Sequence, residues 1–483
     1  MKHAPSFYLA AALLTLFTAS TLRAQTNLYV GSNSSGVSSN FTSGTNRYTN
    51  TFVGYNVGAN SNSLFVQNAD TVLSNSLGSA GLSVGDSGSG NSMVISNGGV
   101  VYNGLGYIGN SNTAHNNSVI VTGTGSFWSN SAFLYVGRSG ASNSLVISNG
   151  GQVKSTQAQI GLSNTAHNNS VIVTGAGSVW TNNSVYVGSF ANSNSIVISD
   201  GAKVSSALIG IGFRDASNNW AMVTGSNSVW VNSGNTAVGE QSNCVNNSLV
   251  ISNGGMMQNG IGYIGRSNTA SNNSVIVTGA GSVWSNAGTV YVGEGGAGSS
   301  LVISNGGKVQ NAAAFIGSNA TSSNSSVLVT GNNSLWTNSA KLTVGHSGGG
   351  TLTVADGAGI VATNITIAAT NGSTGTLNIG GFGTNDTAGT ITAATITFGS
   401  GTGAINFNQS DSTTLTNRIS GAGSVNQLGT GTTTLTASNS YTGGTTINAG
   451  TVAISNRSSF GSNTVTFASN GTTVAALASV QVT

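Results

Sequence analysis

The chain has 483 residues and a formal net charge of +3, with 4% charged and 38% hydrophobic residues. Soluble domains ordinarily carry about 25% charged residues, so charge is scarce here, and no basic patch indicates nucleic acid as a partner. Cys244 is the only cysteine, which excludes an intrachain disulfide.

The N-terminal segment predicts export. Lys2 and His3 give a short polar start, residues 8–17 are largely apolar, and Leu-Arg-Ala ending at Ala24 offers a cleavage site. This is the order of a secretory signal peptide, which we place at residues 1–24. An uncleaved membrane anchor is the alternative, although the apolar run is short for a spanning helix. Residues 25–62 follow as an N-terminal cap or entry segment.

A repeat of about 26 residues occupies residues 63–400. A period of this size is typical of a solenoid, in which each unit contacts only its neighbours. The repeat also provides an internal alignment, so a candidate site residue can be compared with its counterparts in other copies. The copies start at residues 63, 92, 118, 144, 170, 195, 220, 248, 274, 300, 326, 351 and 376.

Each copy predicts a coil of about three short strands. It begins with Ser-Φ-x-Φ-Ser/Thr, where Φ is apolar, as in Ser144–Ser148, and the spacing of two places both Φ residues on one strand face. Asn-Gly-Gly or Gly-x-Gly turns follow, and later a Val-Gly or Ile-Gly. Stacked coils predict an all-β fold, a right-handed parallel β-helix. The rival is a β-propeller with blades of about 52 residues, which the half-period similarity disfavours.

The corners of the coils carry most of the polar residues. Asn-Asn-Ser recurs at residues 116, 168, 246 and 272, which predicts stacked amides along the rod. His115 and His167 share a corner that Ser271 fills in another copy, so we interpret both as polar loop residues. Cys244 falls in the coil with a 28-residue step, which predicts a surface insertion.

Charged residues at the corners give little sign of catalysis. Glu240, Arg266 and Glu294 follow Val-Gly or Ile-Gly in consecutive coils, which predicts a weak surface ion-pair ladder. The nine Asp and Glu residues show no cluster of the kind that paired-carboxylate glycosidases need. Asp200 and Asp356 merely replace Asn in a turn. We therefore predict no catalytic residues, no metal ligands and no cofactor.

Five tryptophans form the candidate contact site. The residue before each one is apolar and is assigned to the core, so strand alternation predicts that the tryptophans point outward on every second coil. Flat aromatic rings in such a stripe suit sugar rings or a partner surface; the alternative is that each ring folds over its polar neighbour. The stripe comprises Trp128, Trp180, Trp230, Trp284 and Trp336.

A second apolar stripe follows from the central x of Ser-Φ-x-Φ-Ser. It is itself apolar in most copies, as at Ile120, Val146 and Ile172, and becomes Thr353 and Asn378 in the last ones. This change predicts that the position faces outward. Contact with another chain and simple strand propensity are both open interpretations.

The C-terminal residues 401–483 have a different sequence pattern from the preceding repeats, and we predict that they continue the solenoid. The segment from Ile419 reads ISGAGSVNQLGTGTTTLTASNSYTGGTTINAGTVAIS and resembles the autotransporter-associated β-strand repeat of bacterial passenger proteins. Gln427 stands where that repeat usually has a basic residue. The matching residues are Leu435, Asn439, Tyr441, Thr442, Gly443, Gly444, Thr445, Thr446, Gly450, Thr451 and Val452.

This resemblance implies a non-enzymatic, secreted or surface β-helical protein of a Gram-negative-type bacterium, an adhesin or structural passenger contacting glycans or other surface proteins. Such passengers are usually followed by an outer-membrane β-barrel translocator, and none follows within the 483 residues. Truncation, a separate transporter and release are the three alternatives. The runner-up function is a β-helical polysaccharide lyase or hydrolase.

Overall fold

The computed structural model describes residues 26–75, 81–381 and 386–467, together with the backbone of 473–476. The predicted signal peptide lies outside these residues. The described chain is built almost wholly of short strands that pair in parallel with the strand one coil away. The parallel β-helix is thus confirmed, and the propeller is wrong; the hand of the coil stays a prediction.

Three parallel sheets run along the rod, and we number them in the order in which each coil visits them. The first sheet contains Ser38–Phe41, Ser63–Gln67, Ser92–Ser96, Ser118–Thr122, Ser144–Ser148, Ser170–Thr174, Ser195–Ser199, Trp220–Thr224, Ser248–Ser252, Ser274–Thr278, Ser300–Ser304, Ser325–Thr330, Gly349–Ala355, Thr374–Ile379, Thr402–Phe407, Ser424–Gln427, Thr445–Ile447 and Val465–Phe467.

The second sheet contains Gly44–Tyr48, Thr71–Asn75, Val100–Asn103, Phe127–Asn130, Gln152–Lys154, Val179–Thr181, Lys203–Ser206, Val229–Asn232, Met256–Asn259, Val283–Asn286, Lys308–Asn311, Leu335–Asn338, Gly359–Val361 and Thr390–Thr392. The third sheet contains Leu28–Val30, Thr51–Val53, Gly81–Val84, Leu105–Ile108, Phe133–Val136, Gln157–Ile160, Ser184–Val187, Leu208–Ile211, Thr236–Val238, Gly262–Ile264, Val290–Val292, Ala314–Ile316, Lys341–Val344, Asn364–Ile367, Thr395–Phe398, Arg418–Gly421 and Ser440–Tyr441.

The C-terminal part keeps the first and third sheets but exchanges the second. Its replacement is a separate four-stranded parallel sheet, made of Ser412–Leu415, Thr432–Leu435, Thr451–Ile454 and Thr473–Ala476. A single 3₁₀ turn, Arg457–Phe460, is the only helical element among the described residues. At the other end, the described part of residues 25–62, the predicted N-terminal cap or entry segment, contributes strands to all three sheets.

The core is a set of in-register apolar ladders. In the first sheet Leu145 pairs with Val171 and Val171 with Ile196, and all three side chains are fully buried. One coil has no second layer against which to bury these residues, so stacking on neighbouring coils is what removes them from water. The two Φ positions of each copy are therefore core positions, as the period-two pattern predicts.

A buried asparagine ladder runs along the corner before the first sheet. In each rung the side-chain NH₂ and the backbone N–H donate to the side-chain oxygen one coil later, as from Asn117 to Asn143 at 3.0 and 2.9 Å. The ladder predicted from Asn-Asn-Ser is confirmed, but it uses the second asparagine; the first, such as Asn116, has a positive φ of 55°. The rungs are Asn62, Asn91, Asn117, Asn143, Asn169, Asn194, Asn219, Asn247 and Asn273.

The ladder explains the glycine of Val-Gly and Ile-Gly. Gly137 has φ = 74°, and a Cβ on it would overlap the side-chain amide of Asn169. Glycine tolerates the positive φ and leaves room for the amide. The glycine of Val-Gly and the asparagine of Asn-Ser, which both recur in the repeat, thus contact each other.

The corner also buries Cys244, so the prediction of a surface insertion is wrong at this residue. Its side chain is fully buried, where other copies place Ala166, Ala216 or Ala270, which are also buried. Burial raises the pKa of the Cys244 thiol. The two extra residues of this coil leave the inward alanine position in register, and cysteine occupies it as a small hydrophobic residue.

Candidate functional site

The predicted tryptophan stripe is wrong, because all five rings lie in the core. Trp128, Trp180, Trp230, Trp284 and Trp336 each have a relative exposure of 0%. Trp128 pairs with Val101 and Val153 on the two neighbouring coils, so tryptophan alternates with an aliphatic residue along one core ladder. Side chains without solvent exposure cannot serve as contact points for a glycan or a partner protein.

One extra residue in the corner causes the error. Four residues, 123–126, separate the first and second strands in the Trp128 coil, whereas three, 149–151, do so in the next coil. A shift of one residue moves every side chain to the opposite face of a strand. Counting a fixed distance from the first serine therefore assigned Phe127 to the core, although Phe127 is the half-exposed residue and Trp128 the buried one.

The remaining sequence-predicted corner residues behave as structural polar groups. His115 Nδ1 accepts a hydrogen bond of 3.0 Å from the backbone N–H of Ala141, and His167 Nδ1 accepts one of 3.3 Å from Asn192. Both bonds join a corner to the next coil. No group of three or more His, Cys, Asp or Glu residues able to hold a metal ion occurs in the part of the chain that the structure describes.

An aromatic ladder on the outside of the third sheet is the strongest candidate contact surface. Tyr263, Tyr291 and Phe315 occupy one outward position on consecutive coils. Their ring centroids are 5.3 and 5.4 Å apart, with interplanar angles of 6° and 9°. Tyr107 and Tyr135 form a second stack at 5.3 Å. Ring faces therefore meet along the rod. Tyr263 is buried, with a relative exposure of 8%, so a partner meets mainly the ring edges of the partly exposed Tyr291 and Phe315.

Cations lie against this ladder. The guanidinium carbon of Arg266 lies 4.6 Å from the centroid of Tyr263, and Lys341 Nζ lies 5.0 Å from that of Phe315. Arg138 and Arg214 make similar contacts, with Tyr107 and Phe213. Such cation–π contacts are worth about 0.5–1 kcal/mol when exposed. They fix the direction of long side chains that a free corner would leave mobile.

The predicted ion-pair ladder is confirmed and lies beside the aromatic one. Arg266 Nη1 is 3.4 Å from Glu240 Oε1, and Arg266 Nε is 3.6 Å from Glu294 Oε2. Burial raises the pKa of Glu240 above its ordinary value, with Arg266 and Arg214 opposing the rise. Burial also raises the pKa of Glu294, again opposed by Arg266. The three charges line a shallow cavity of about 540 Å³ together with Gln241, Ser242, Ser267 and Asn319.

We call this region the aromatic corner surface, defined by Tyr263, Tyr291, Phe315, Glu240, Arg266 and Glu294. Sequence reasoning found its charges but missed its rings. The signal is an aromatic residue directly before Ile-Gly or Val-Gly, as in Tyr107-Ile108-Gly109 and Tyr135-Val136-Gly137. The surface combines planar rings with hydrogen-bond donors and acceptors at the corner, which is the chemistry of a binding site for a polar, extended partner.

Comparison with known proteins finds a family match in the C-terminal part of the chain. Residues 425–454 match the profile of the passenger-associated-transport-repeat family. The adhesin BmaC autotransporter of Brucella suis biovar 1 (strain 1330) is 43% identical over 86 residues, which are 18% of this chain and 2% of that protein. The autotransporter resemblance predicted from the sequence is confirmed: a passenger-type repeat continues the described β-helix.

A solved structure gives a weaker match. The crystal structure of the TibC-catalysed hyper-glycosylated TibA55-350 fragment covers 89% of this chain and 99% of its own, with 12% identity and a TM-score of 0.28. A TM-score this low carries no argument about the present chain. Among the described residues no helix is both long and apolar enough to span a membrane.

Proposed function

We propose that this chain, which carries a passenger-type repeat, is an exported, non-enzymatic β-helical rod that adheres to glycans or neighbouring proteins through the aromatic corner surface. The repeat match and the adhesin relative support an extracellular or cell-surface location in a Gram-negative bacterium. The observation that carries the proposal is the continuous stack of Tyr263, Tyr291 and Phe315 beside the Glu240–Arg266–Glu294 ladder.

The geometry favours a glycan chain over a small ligand. The cavity is shallow and open, whereas small-molecule pockets bury most of the ligand. Hydroxyl, amide, carboxylate and guanidinium groups line it. A second shallow cavity of about 650 Å³ has the guanidinium of Arg138 with the amides of Asn110 and Asn112, but its lining contains no carboxylate. Weak sites repeated along a rod give avidity to a partner that is itself a repeating polymer.

One observation favours the enzyme alternative. Glu240 and Glu294 are two partly buried carboxyl groups with raised pKa values in one cavity, and glycosidases use a carboxyl pair. Against this, the Arg266 side chain bridges the two carboxylates. It occupies the gap in which the scissile bond of a substrate would have to lie, so we favour adhesion.

The test is binding and cleavage on one panel of bacterial and host polysaccharides. The purified chain should bind at least one glycan and leave its length unchanged. Tyr291→Thr should weaken that binding several-fold, because it removes the central ring of the stack. The strand should stay intact, since threonine occupies the same outward position at Thr343 and Thr366. Shortening of the glycan by wild type but not by Glu240→Gln would establish the enzyme instead, and unaltered binding by Tyr291→Thr would remove the surface from the proposal.

A further inference from the structure

An apolar stripe runs along the outside of the first sheet, on a different face from the aromatic corner surface. It consists of the central outward residue of eleven consecutive strands, and every member is partly exposed, with Ile172 at 37% and Leu328 at 36%. The outward position predicted for the central x is therefore confirmed. The stripe is Phe65, Val94, Ile120, Val146, Ile172, Val197, Met222, Val250, Ile276, Val302 and Leu328.

The strands of the stripe carry no charged residue, although the Asp200 carboxylate at one border accepts hydrogen bonds from Thr174 and Ser199. None of its eleven strands contains Asp, Glu, Lys or Arg. Ser and Thr border it on both sides in most coils. Beyond Leu328 the same position becomes Thr353 and then Asn378, Asn406 and Asn426, which hydrogen bond to one another. The apolar character thus stops sharply while the sheet continues.

Trp220 lies at the border of this stripe, close to its middle. It stands where the neighbouring coils have Ser195 and Ser248, and it is 37% exposed. Strand alternation puts it on the same outward face as Met222. Tryptophan and methionine are enriched in the centres of protein interfaces, and tryptophan is a frequent hot spot.

We propose that this stripe is an interface at which two copies of the chain pack face to face. Eleven strands about 4.8 Å apart give a length of about 50 Å, and five residues at about 3.3 Å give a width of about 16 Å. The product, about 800 Å² on each partner, is the size of a standard stable interface. The partly exposed apolar residues form the central line of this face, and the Ser and Thr residues on both sides of it make up the rest of its width.

The spacing of the stripe selects a second copy as the occupant. Two β-helices share one rung spacing, so each rung of one stripe can lie opposite a rung of the other along the entire length, as in the dry interfaces of stacked sheets. A globular partner meets this periodicity at only a few rungs. A lipid surface is disfavoured, because the stripe lacks the Lys and Arg residues that bind anionic headgroups.

Sedimentation across a range of concentrations tests the proposal on the exported chain without its signal peptide. Wild type should show a reversible monomer–dimer equilibrium. Trp220→Ser removes the largest side chain of the interface, so it should raise the dimer dissociation constant roughly tenfold or more. It should not lower the melting temperature, because serine is the residue of the neighbouring coils at this position. A wild-type chain that stays monomeric at every concentration would overturn the proposal.

A charge-matched pair of variants locates the interface. Val197→Lys with Val250→Lys places two lysines in the stripe and should abolish the dimer. Ser205→Lys with Gln258→Lys adds the same charge to the second sheet of the same two coils, where Lys154 is native, and should leave the dimer intact. Equal dimerisation by both double variants would contradict the proposal, as would equal loss in both.

A cross-link provides a readout that does not depend on affinity. Val197 is the sixth of the eleven stripe residues, so it faces the same residue of the second copy whether the two chains run parallel or antiparallel. Val197→Cys should form an intermolecular disulfide under mild oxidation, because the native Cys244 is buried. Val94→Cys should do so only in the parallel arrangement. Absence of a disulfide from Val197→Cys at concentrations where the wild type is dimeric would overturn the proposed interface.

Discussion

The indole Nε1 of Trp284 donates a hydrogen bond of 2.7 Å to the Oδ1 of Asn259, one coil earlier in the chain. Trp128 and Trp336 make the same bond with Asn103 and Asn311, at 2.7 and 2.8 Å. The asparagine explains how the core holds such a polar group at zero exposure, because a buried N–H without a partner costs about 1–3 kcal/mol.

Trp180 lacks this partner, which gives a stabilising substitution. Its Nε1 makes no hydrogen bond. Ser155 takes the asparagine position and its hydroxyl donates to Asn182 Oδ1, whereas the hydroxyl of Ser206, at the same position of another coil, accepts a bond of 3.2 Å from Trp230 Nε1. Ser155→Asn should satisfy the indole and raise the free energy of unfolding by about 1 kcal/mol. Asn311 occupies the equivalent position in another coil, and Ala314 lies three residues after it, just as Ala158 lies three residues after Ser155. The surroundings of Ser155 should therefore accept an asparagine. Denaturant unfolding measures the difference, and Asn259→Ser should lower the same quantity.

The asparagine ladder should be sensitive at each rung. Asn143→Ala leaves the backbone N–H and the side-chain NH₂ of Asn117 without their acceptor in a buried corner. We expect a loss of about 3 kcal/mol in the free energy of unfolding, from two unsatisfied groups. Asn164→Ala, at an exposed corner position, should change it by no more than about 0.5 kcal/mol. Similar effects from both variants would contradict the structural role of the ladder.

Tryptophan fluorescence tests the inward assignment directly. Five of the six tryptophans are fully buried, and Trp220 is 37% exposed. Acrylamide should therefore quench only a minor, red-shifted fraction of the emission, and Trp220→Ser should remove that fraction. A large quenchable fraction remaining in Trp220→Ser would mean that some of the other five rings face solvent.

The raised pKa of Glu240 predicts how stability depends on pH. In the folded chain this pKa lies above 4.5 because burial disfavours the charged carboxylate. The group therefore stabilises the fold most when the pH is below its unfolded pKa, and this contribution is lost as the pH rises through the folded pKa. The stability of wild type relative to Glu240→Gln should fall as the pH increases from 4 to 7. A flat or rising difference would show that the pKa is not raised.

The sequence predicted the features that recur at constant spacing. The strand positions, the positive-φ turns such as Asn149, the amide ladder and the Glu240–Arg266–Glu294 contacts all follow from the alignment of copies. The orientation of Trp128 did not follow, because one added corner residue reverses a strand face and leaves the period almost unchanged. The aromatic ladder was also missed, since its rings are interrupted at Gln159, Gly210 and Ala237.

The central claim is that adhesion occurs at the aromatic corner surface and not merely anywhere on a rod. Arg266→Gln and Lys154→Gln each remove one positive charge, the first from this surface and the second from the exposed second-sheet face, where other coils carry Gln258 and Gln310. Exposed ion pairs contribute little to stability, so both variants should stay folded.

The decisive measurement is the dissociation constant of these two variants for the glycan that wild type binds best. We predict that Arg266→Gln weakens binding by roughly tenfold, as expected for loss of one charge-assisted contact of about 1.4 kcal/mol, while Lys154→Gln binds as wild type does. Equal affinities for the two variants would contradict the claim, and weaker binding by Lys154→Gln alone would move the contact to the second sheet.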